Sequence, residues 1–245
     1  MQRFSGKVAI VFGGSRGIGR AVAERIGREG AGVLVNYVSD SNAANAVVAA
    51  ITAAGGQALA VQGDVAENGD VLRVFDTARE RWATVDIVIN VAGIPISKPT
   101  AELLDEDYER VFGVNARGAM NVLRAAATCV ADNGRVIHVS SGATRMPRAD
   151  GGLYAASKAA GEQFAIALAR ELAPRGVTVN IVSPGVTRND VMENLPEAVI
   201  ARLVGMTPLG RLGEPDDVGD AVAFLASEDA RWVTGQNIQV NGGML

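Results

Sequence analysis

Tyr154 and Lys158 stand four residues apart in the run Tyr154-Ala-Ala-Ser-Lys158. In a helix that spacing places a phenol and an ammonium on one face, a turn apart. A phenol of ordinary pKa, about 10, exchanges protons poorly at neutral pH. A nearby cation favours the phenolate and brings its proton affinity into a useful range. The pair alone has a plain alternative, because Tyr and Lys at this spacing also share solvated helix faces. Two further features keep it company. Gly13-Gly14-Ser15-Arg16-Gly17-Ile18-Gly19 is a glycine-rich turn after an apolar run, and Ser140-Ser141 closes another such run. Together they make nucleotide-dependent carbonyl chemistry the leading expectation.

Such residues need a scaffold, and the chain reads as strands alternating with helices. Apolar runs predict strands at Val8–Phe12, Val33–Tyr37, Ala58–Gln62, Ile87–Ile89, Arg135–Val139, Thr178–Val182 and Asn237–Val240. Helical periodicity covers Arg20–Glu29, Asn42–Ala54, 67–82, 103–130, 153–173 and Pro215–Ala226. Strands that are apolar throughout, joined by helical crossovers, predict an α/β fold. It is a single-domain, Rossmann-like, doubly wound parallel sheet flanked by helices on both faces. No linker or repeat divides residues 1–245. The Pro-, Gly- and Arg-rich stretch 184–213, with a short helix over Glu197–Val204, is the expected substrate loop. A packed surface excursion is its alternative.

Composition narrows the chemistry. The 245 residues include 48% apolar and 20% charged side chains, with a net charge of −4. That balance favours neither nucleic acid nor an anionic membrane as partner. Cys129 is the only cysteine and His138 the only histidine. Disulfides, thiolate clusters, histidine triads and zinc sites therefore have no support, and no metal is expected. The N-terminus runs straight into a strand without an apolar targeting segment, so cytoplasm is the default location.

Gly13, Gly17 and Gly19 lie where a strand passes into a helix, as backbone contact with a pyrophosphate requires. No Lys-Ser or Lys-Thr follows them, which disfavours a Walker-type site. An acidic residue at the end of the second strand would hold a free ribose hydroxyl and repel a 2′-phosphate. Here Asn36-Tyr37-Val38-Ser39 stands instead, and Arg16 offers a planar fork to phosphate. NADP(H) is the expected cofactor, and aspartate at Asn36 is expected to turn preference toward NADH. A solvated turn residue is the alternative reading of Arg16.

These residues, in this order and spacing, resemble the short-chain dehydrogenase/reductase family over essentially the whole chain. The glycine turn is similar to that of NADP-preferring members, with Ser15, Arg16 and Ile18 beside the glycines. The resemblance places Asp64-Val65 at the adenine, Asn90-Val91-Ala92-Gly93 beside the cofactor, and Pro184-Gly185-Val186-Thr187 on the nicotinamide side. It implies Asn115, Ser141, Tyr154 and Lys158 as catalytic residues. Tyr154 would exchange the proton and Ser141 would bond the carbonyl oxygen. Lys158 would lower the phenol pKa and reach the ribose. Asn115, near a distortion of the long helix, would hold a water linking Lys158 to solvent. Taken singly, Ser141 has a loop-capping alternative and Asn115 a backbone-bonding one. The chain departs from the family pattern at Phe12, where threonine is usual, at Val91 in place of asparagine, and at Asn189.

The general pattern is similar to 3-oxoacyl-acyl-carrier-protein reductases and related broad ketoreductases. The expected partner is a small carbonyl or alcohol substrate, free or carrier-linked. Ile94, Pro95, Ile96, Met192 and the loop Ala143-Thr144-Arg145-Met146-Pro147-Arg148 are candidate substrate contacts, a mixture suited to an apolar ketone with an acidic or phosphorylated portion. A sugar or polyol dehydrogenase is the alternative enzyme, and a nucleotide-sensing scaffold without turnover the alternative class. The resemblance also implies a homo-oligomer, a tetramer before a dimer, with helices 103–130 and 153–173 and the last strand at its contacts.

Overall fold

The structure is a computed structural model that describes residues 2–189, 192 and 196–244. Seven strands form one sheet: β1 (Val8–Phe12), β2 (Gly32–Tyr37), β3 (Gln57–Gln62), β4 (Ile87–Asn90), β5 (Arg135–Val139), β6 (Thr178–Pro184) and β7 (Asn237–Val240). All neighbours pair in parallel, in the order β3-β2-β1-β4-β5-β6-β7. Every residue of β1, β4, β5 and β6 is buried, whereas the edge strands β3 and β7 are partly exposed. The unbroken apolar runs in the sequence have this cause: strands covered on both faces have no solvent side.

Helices α1 (Gly17–Arg28), α2 (Ser41–Ala53) and α8 (Pro215–Ala226) cover one face, where Val22, Ile26, Val47 and Val222 pack on Val11, Val33 and Ile89. Helices α3 (Asn68–Trp82), α5 (Gly118–Cys129) and α6 (Gly152–Leu172) cover the other, with Phe75, Val122 and Leu168 against Ile10, Val88 and Val179. Two shorter helices, α4 (Asp105–Phe112) and α7 (Glu197–Gly205), are the remaining α-helices among the described residues. Sheet order reverses between β1 and β4, so their loops diverge and leave a crevice beyond the carboxyl ends of the strands.

Two helices differ from expectation at their starts. Helix α1 begins at Gly17, three residues early, because the glycine turn itself supplies the first helical residues. The segment 103–130 opens later, after a 3-10 turn at Thr100–Glu102, and α4 and α5 are joined by a π-helical turn at Gly113–Arg117. Within it the Gly118 amide bonds the Gly113 carbonyl, five residues back. That is the distortion expected near Asn115.

Phe12 is fully buried, with its ring centroid 5.8 Å from that of Phe75. Where the family's threonine would offer a hydroxyl, this chain ties β1 to α3 by aromatic packing. Phe12→Thr should therefore destabilise the fold by about 3 kcal/mol, the range for emptying a buried aromatic site. Urea unfolding measures it, and an unchanged midpoint would show that the ring is dispensable.

Candidate active site

The carboxyl edge of the sheet opens into a cavity of about 750 Å³. Ser141, Tyr154 and Lys158 line it together with Gly17, Ile18, Gly93 and Pro184–Thr187, so residues far apart in sequence meet at one wall. Helix α6 carries Tyr154 and Lys158 one turn apart as their spacing requires. Ser141 follows β5 and caps the 3-10 turn Gly142–Thr144, its Oγ accepting from the Ala143 amide at 3.2 Å. The capping alternative is thus present, yet the same hydroxyl also bonds the Tyr154 phenol.

Lys158 is only 3% exposed, and its Nζ donates to the Val139 carbonyl at 2.8 Å. Burial lowers its pKa to about 8, with the Glu162 charge acting in the opposite direction. Burial raises the Tyr154 phenol above its ordinary range, and the Ser141 hydrogen bond offsets part of this rise. The expected lowering of Tyr154 is therefore corrected. Removing the phenol from water outweighs the favourable interactions of its charged form, while the Lys158 ammonium is directed to a backbone carbonyl. Behind Lys158 sits His138, fully buried and lowered to about 3 by burial and by the lysine charge. It is neutral at pH 7. A Cβ at Gly161 would collide with its Nε2, so α6 can pass this ring only with glycine there.

Asn115 uses its side chain on the protein itself. Its Oδ1 accepts from the Ile94 amide at 2.8 Å, and its Nδ2 donates to the Ile94 carbonyl and to Ser157 Oγ, both at 2.9 Å. Ser157 Oγ in turn donates to the Tyr154 carbonyl at 2.7 Å, which joins the π turn to α6. A Cβ at Gly93 would lie 3.1 Å from Lys158 Nζ and 3.3 Å from Asn115 Oδ1. Glycine at 93 thus keeps open the space between these two polar groups.

The glycine turn fits a dinucleotide. A Cβ at Gly19 would strike the Gly13 carbonyl, and one at Gly13 would lie 2.9 Å from the Ala92 nitrogen. Gly17 has φ +50° and meets nothing within 4 Å, so its backbone faces open space. No side chain caps the start of α1, which leaves first-turn amides for an anion. Arg16 is exposed beside them, as are Ser39 and the start of α2.

Other expected cofactor residues support the crevice from behind. Asn36 is buried: Gly13 donates to its Oδ1, and its Nδ2 donates to the Val61 and Gly63 carbonyls at 3.3 and 3.0 Å. Aspartate there would set a carboxylate against two carbonyl oxygens, so the expected cofactor switch at this position is withdrawn. Asn90 is likewise buried, contacting His138 Nδ1 and accepting from the Ala92 amide. Val65 packs where a Gly118 Cβ would lie, and Asn121 holds its carbonyl at 2.9 Å. Asp64 accepts from the Ala66 amide, and the Tyr37 carbonyl accepts from Gly63. Ser15, Arg16, Asn36, Tyr37, Ser39, Asp64, Val65 and Asn90 lie outside the cavity lining.

Of the expected substrate contacts, Ile94, Pro95, Ala143, Met146, Arg148 and Met192 line the cavity, whereas Ile96, Thr144, Arg145 and Pro147 do not. The expected substrate loop 184–213 includes residues 190, 191 and 193–195, which lie outside the described residues. Its described part supplies Arg188, Asn189, Val199, Arg202, Leu203 and Met206 to the lining. Among the described residues no cluster of His, Cys, Asp and Glu could hold a metal, and no helix is long and apolar enough to cross a membrane. Ser157, Glu162 and Asn121 escaped the sequence reading. Only Glu162 had a signal, as the next member of the four-residue series Tyr154, Lys158, Glu162.

Residues 13–245 match the family described as enoyl-(acyl carrier protein) reductase. An uncharacterized oxidoreductase of Methylorubrum extorquens is 42% identical, with all of both chains covered. A 3-oxoacyl-[acyl-carrier-protein] reductase of Synechocystis is 38% identical over 100% of this chain and 99% of its own. The crystal structure of the angucycline C-6 ketoreductase LanV with bound NADP superposes with a TM-score of 0.94 at 39% identity, covering 99% of this chain and 97% of that one. The glycine turn and the cavity lined by Ser141, Tyr154 and Lys158 thus sit on the fold of that NADP-bound structure. The chain therefore belongs to the short-chain dehydrogenase/reductase family, as an NADP(H)-dependent oxidoreductase of ketoreductase type acting on small carbonyl or alcohol compounds.

Proposed function

We propose that this oxidoreductase is a broad ketoreductase for apolar ketones, with 3-oxoacyl thioesters the first substrates to test. The observation that supports this reading is the apolar part of the cavity that Tyr154 lines. Met146, Met192, Met206 and Met244, four of the six methionines in the chain, line the cavity with Ile94, Val199 and Leu203. Flexible thioethers accommodate varied apolar shapes. Arg148, Arg188 and Arg202 add cations for an acidic or phosphorylated end. The names of the Synechocystis and LanV relatives favour a carbonyl group over a sugar hydroxyl, and an apolar wall suits a polyol poorly.

When bound, NADP(H) supplies or accepts the hydride. In the reduction direction Tyr154 gives its proton to the substrate oxygen, and Ser141 donates a hydrogen bond to that oxygen as charge develops. Lys158 holds positive charge beside the phenol and reaches the cofactor ribose. Asn115 braces this group through Ile94 and Ser157, and its Oδ1 borders the space in which a water would connect Lys158 to solvent. The glycine turn, Arg16 and Ser39 hold the phosphates. Gly93 and the Pro184–Thr187 segment line the rest of the cofactor path, with Asp64 and Val65 beyond the cavity toward the adenine.

We also propose a homotetramer located in the cytoplasm. Its single cysteine asks for no oxidising compartment. Phe164 on α6 and Tyr108 on α4 are exposed, as are Phe224, Trp232 and Ile238 around the β7 edge; Trp232 is 97% exposed. Two apolar surfaces suit two kinds of two-fold contact. Leu168 on the same helix as Phe164 packs into the chain's own core.

Five outcomes test these readings. Tyr154→Phe should lower kcat by about 10²–10⁴-fold while NADPH binding, read by fluorescence titration, stays intact; retained turnover rejects the proton role. Reductive kcat/KM should fall as pH rises through about 8, where Lys158 loses its proton, while the raised phenol remains protonated. A flat profile to pH 10, a value about two units above that midpoint, would remove the charge requirement. Arg16→Ala should raise KM for NADPH far more than for NADH, and equal losses would make Arg16 a turn residue only. Light scattering should show a tetramer, and a 25.3 kDa species at micromolar concentration would exclude it. A panel of 3-oxoacyl thioesters, bulky cyclic ketones and ketoses should favour the first two by kcat/KM, with preference for ketoses the contrary result.

A further inference from the structure

Glu162 continues the Tyr154–Lys158 face by one more turn of α6 and is half-buried. Its Oε1 accepts from Ser140 Oγ at 2.6 Å and from Thr144 Oγ1 at 2.8 Å. These hydroxyls bracket Ser141: one belongs to the residue before it, and the other closes the 3-10 turn Gly142–Thr144 that Ser141 caps. Ser140 is 4% exposed, and its amide bonds the Val182 carbonyl at 2.8 Å, so its hydroxyl depends on an internal acceptor. The Thr144 hydroxyl also lies 3.0 Å from the Ser141 carbonyl, and the carboxylate competes for its one proton. One charged oxygen therefore anchors the active-site loop at both ends to the helix that carries the phenol and the ammonium.

We infer that Glu162 is a positioning residue for the reaction: its carboxylate fixes Ser141 relative to Tyr154 through Ser140 and Thr144, and its charge is the counterweight to the buried Lys158. This rests on the proposed roles of Ser141, Tyr154 and Lys158. The charged group that bears on Lys158 is Glu162 from its own helix, while His138 on β5 feels the lysine charge and is itself neutral. Glu162 favours the ammonium while burial opposes it, and His138 carries no charge to assist. The amide of glutamine can accept the same two hydroxyl protons without the charge, whereas alanine removes both functions. The two substitutions separate geometry from electrostatics.

The test compares Glu162→Ala, Glu162→Gln and Tyr154→Phe with the parent as purified full-length protein, with kcat, KM for NADPH, the pH profile of kcat/KM and thermal melting as readouts. Glu162→Ala should lower kcat roughly 10- to 100-fold, the loss expected of charge-assisted hydrogen bonds, with KM for NADPH little changed. Glu162→Gln should recover most of kcat at pH 7 while its alkaline limb moves to lower pH by about half a unit or more. Parent-like kcat in Glu162→Ala, or an unmoved limb in Glu162→Gln, overturns the inference. So does a loss of NADPH affinity as large as the loss of kcat, which would mark general collapse of the pocket. If Glu162→Ala fails to fold, Thr144→Val removes one of the two hydroxyls; a smaller fall in kcat with the limb unmoved supports the anchoring, and unchanged kcat overturns it. An active Tyr154→Phe defeats the reading of the site itself, whereas an inactive one beside an active Glu162→Ala defeats only the role of Glu162.

Discussion

The structure turns on keeping an ammonium group out of water. A charged side chain as buried as Lys158 is costly unless its protons find acceptors and its surroundings forgo competing charge. The carbonyl of Val139 supplies one acceptor because β5 ends there and its chain turns toward Ser140. Gly93 leaves space beside Nζ, and Gly161 lets α6 lie close over an uncharged imidazole. Each of these is a local choice about one side chain, and together they permit a cation at the carboxyl edge of an apolar sheet.

The parallel sheet makes that edge available. Because every strand runs the same way, all turn-bearing ends gather on one side. The reversal between β1 and β4 separates loops that would otherwise touch. The glycine turn lies on one side of the gap and the Ser141 loop on the other. Backbone groups dominate the first and side-chain functional groups the second, which matches the different demands of holding phosphate and moving a proton.

The strands were legible from composition because burial on both faces leaves apolar runs, and every expected strand appears within about one residue at its start, apart from longer carboxyl ends at β4 and β6. Tyr154, Lys158, Ser141 and Gly17 could be brought together from spacing plus resemblance, and they meet at one cavity wall. Asn36 and Asn90 were less transparent. A polar residue at the end of a buried strand serves equally to bind a ligand or to satisfy neighbouring loops, and the sequence does not show which way it faces. Here each satisfies loops. Glu162 was hidden for another reason: its partners lie 22 and 18 residues away across a loop, a separation that helical periodicity does not encode. The rise in the Tyr154 pKa depended on burial, which spacing alone cannot measure.

The π turn at Gly113–Arg117 sets local regularity against global fit. One residue fewer would restore ordinary α-helical bonding through this stretch. The turn from Gly113 to Gly118 closes over five residues where an α-helical turn closes over four, so the extra residue is absorbed locally and α5 keeps its phase toward the sheet. Gly118, Val122 and Ala126 would stay buried after such a deletion, and Asn121 would keep the Val65 carbonyl. The loss would fall on the turn itself, where Asn115 braces Ile94 and Ser157, so this helix can become regular only by giving up that bracing.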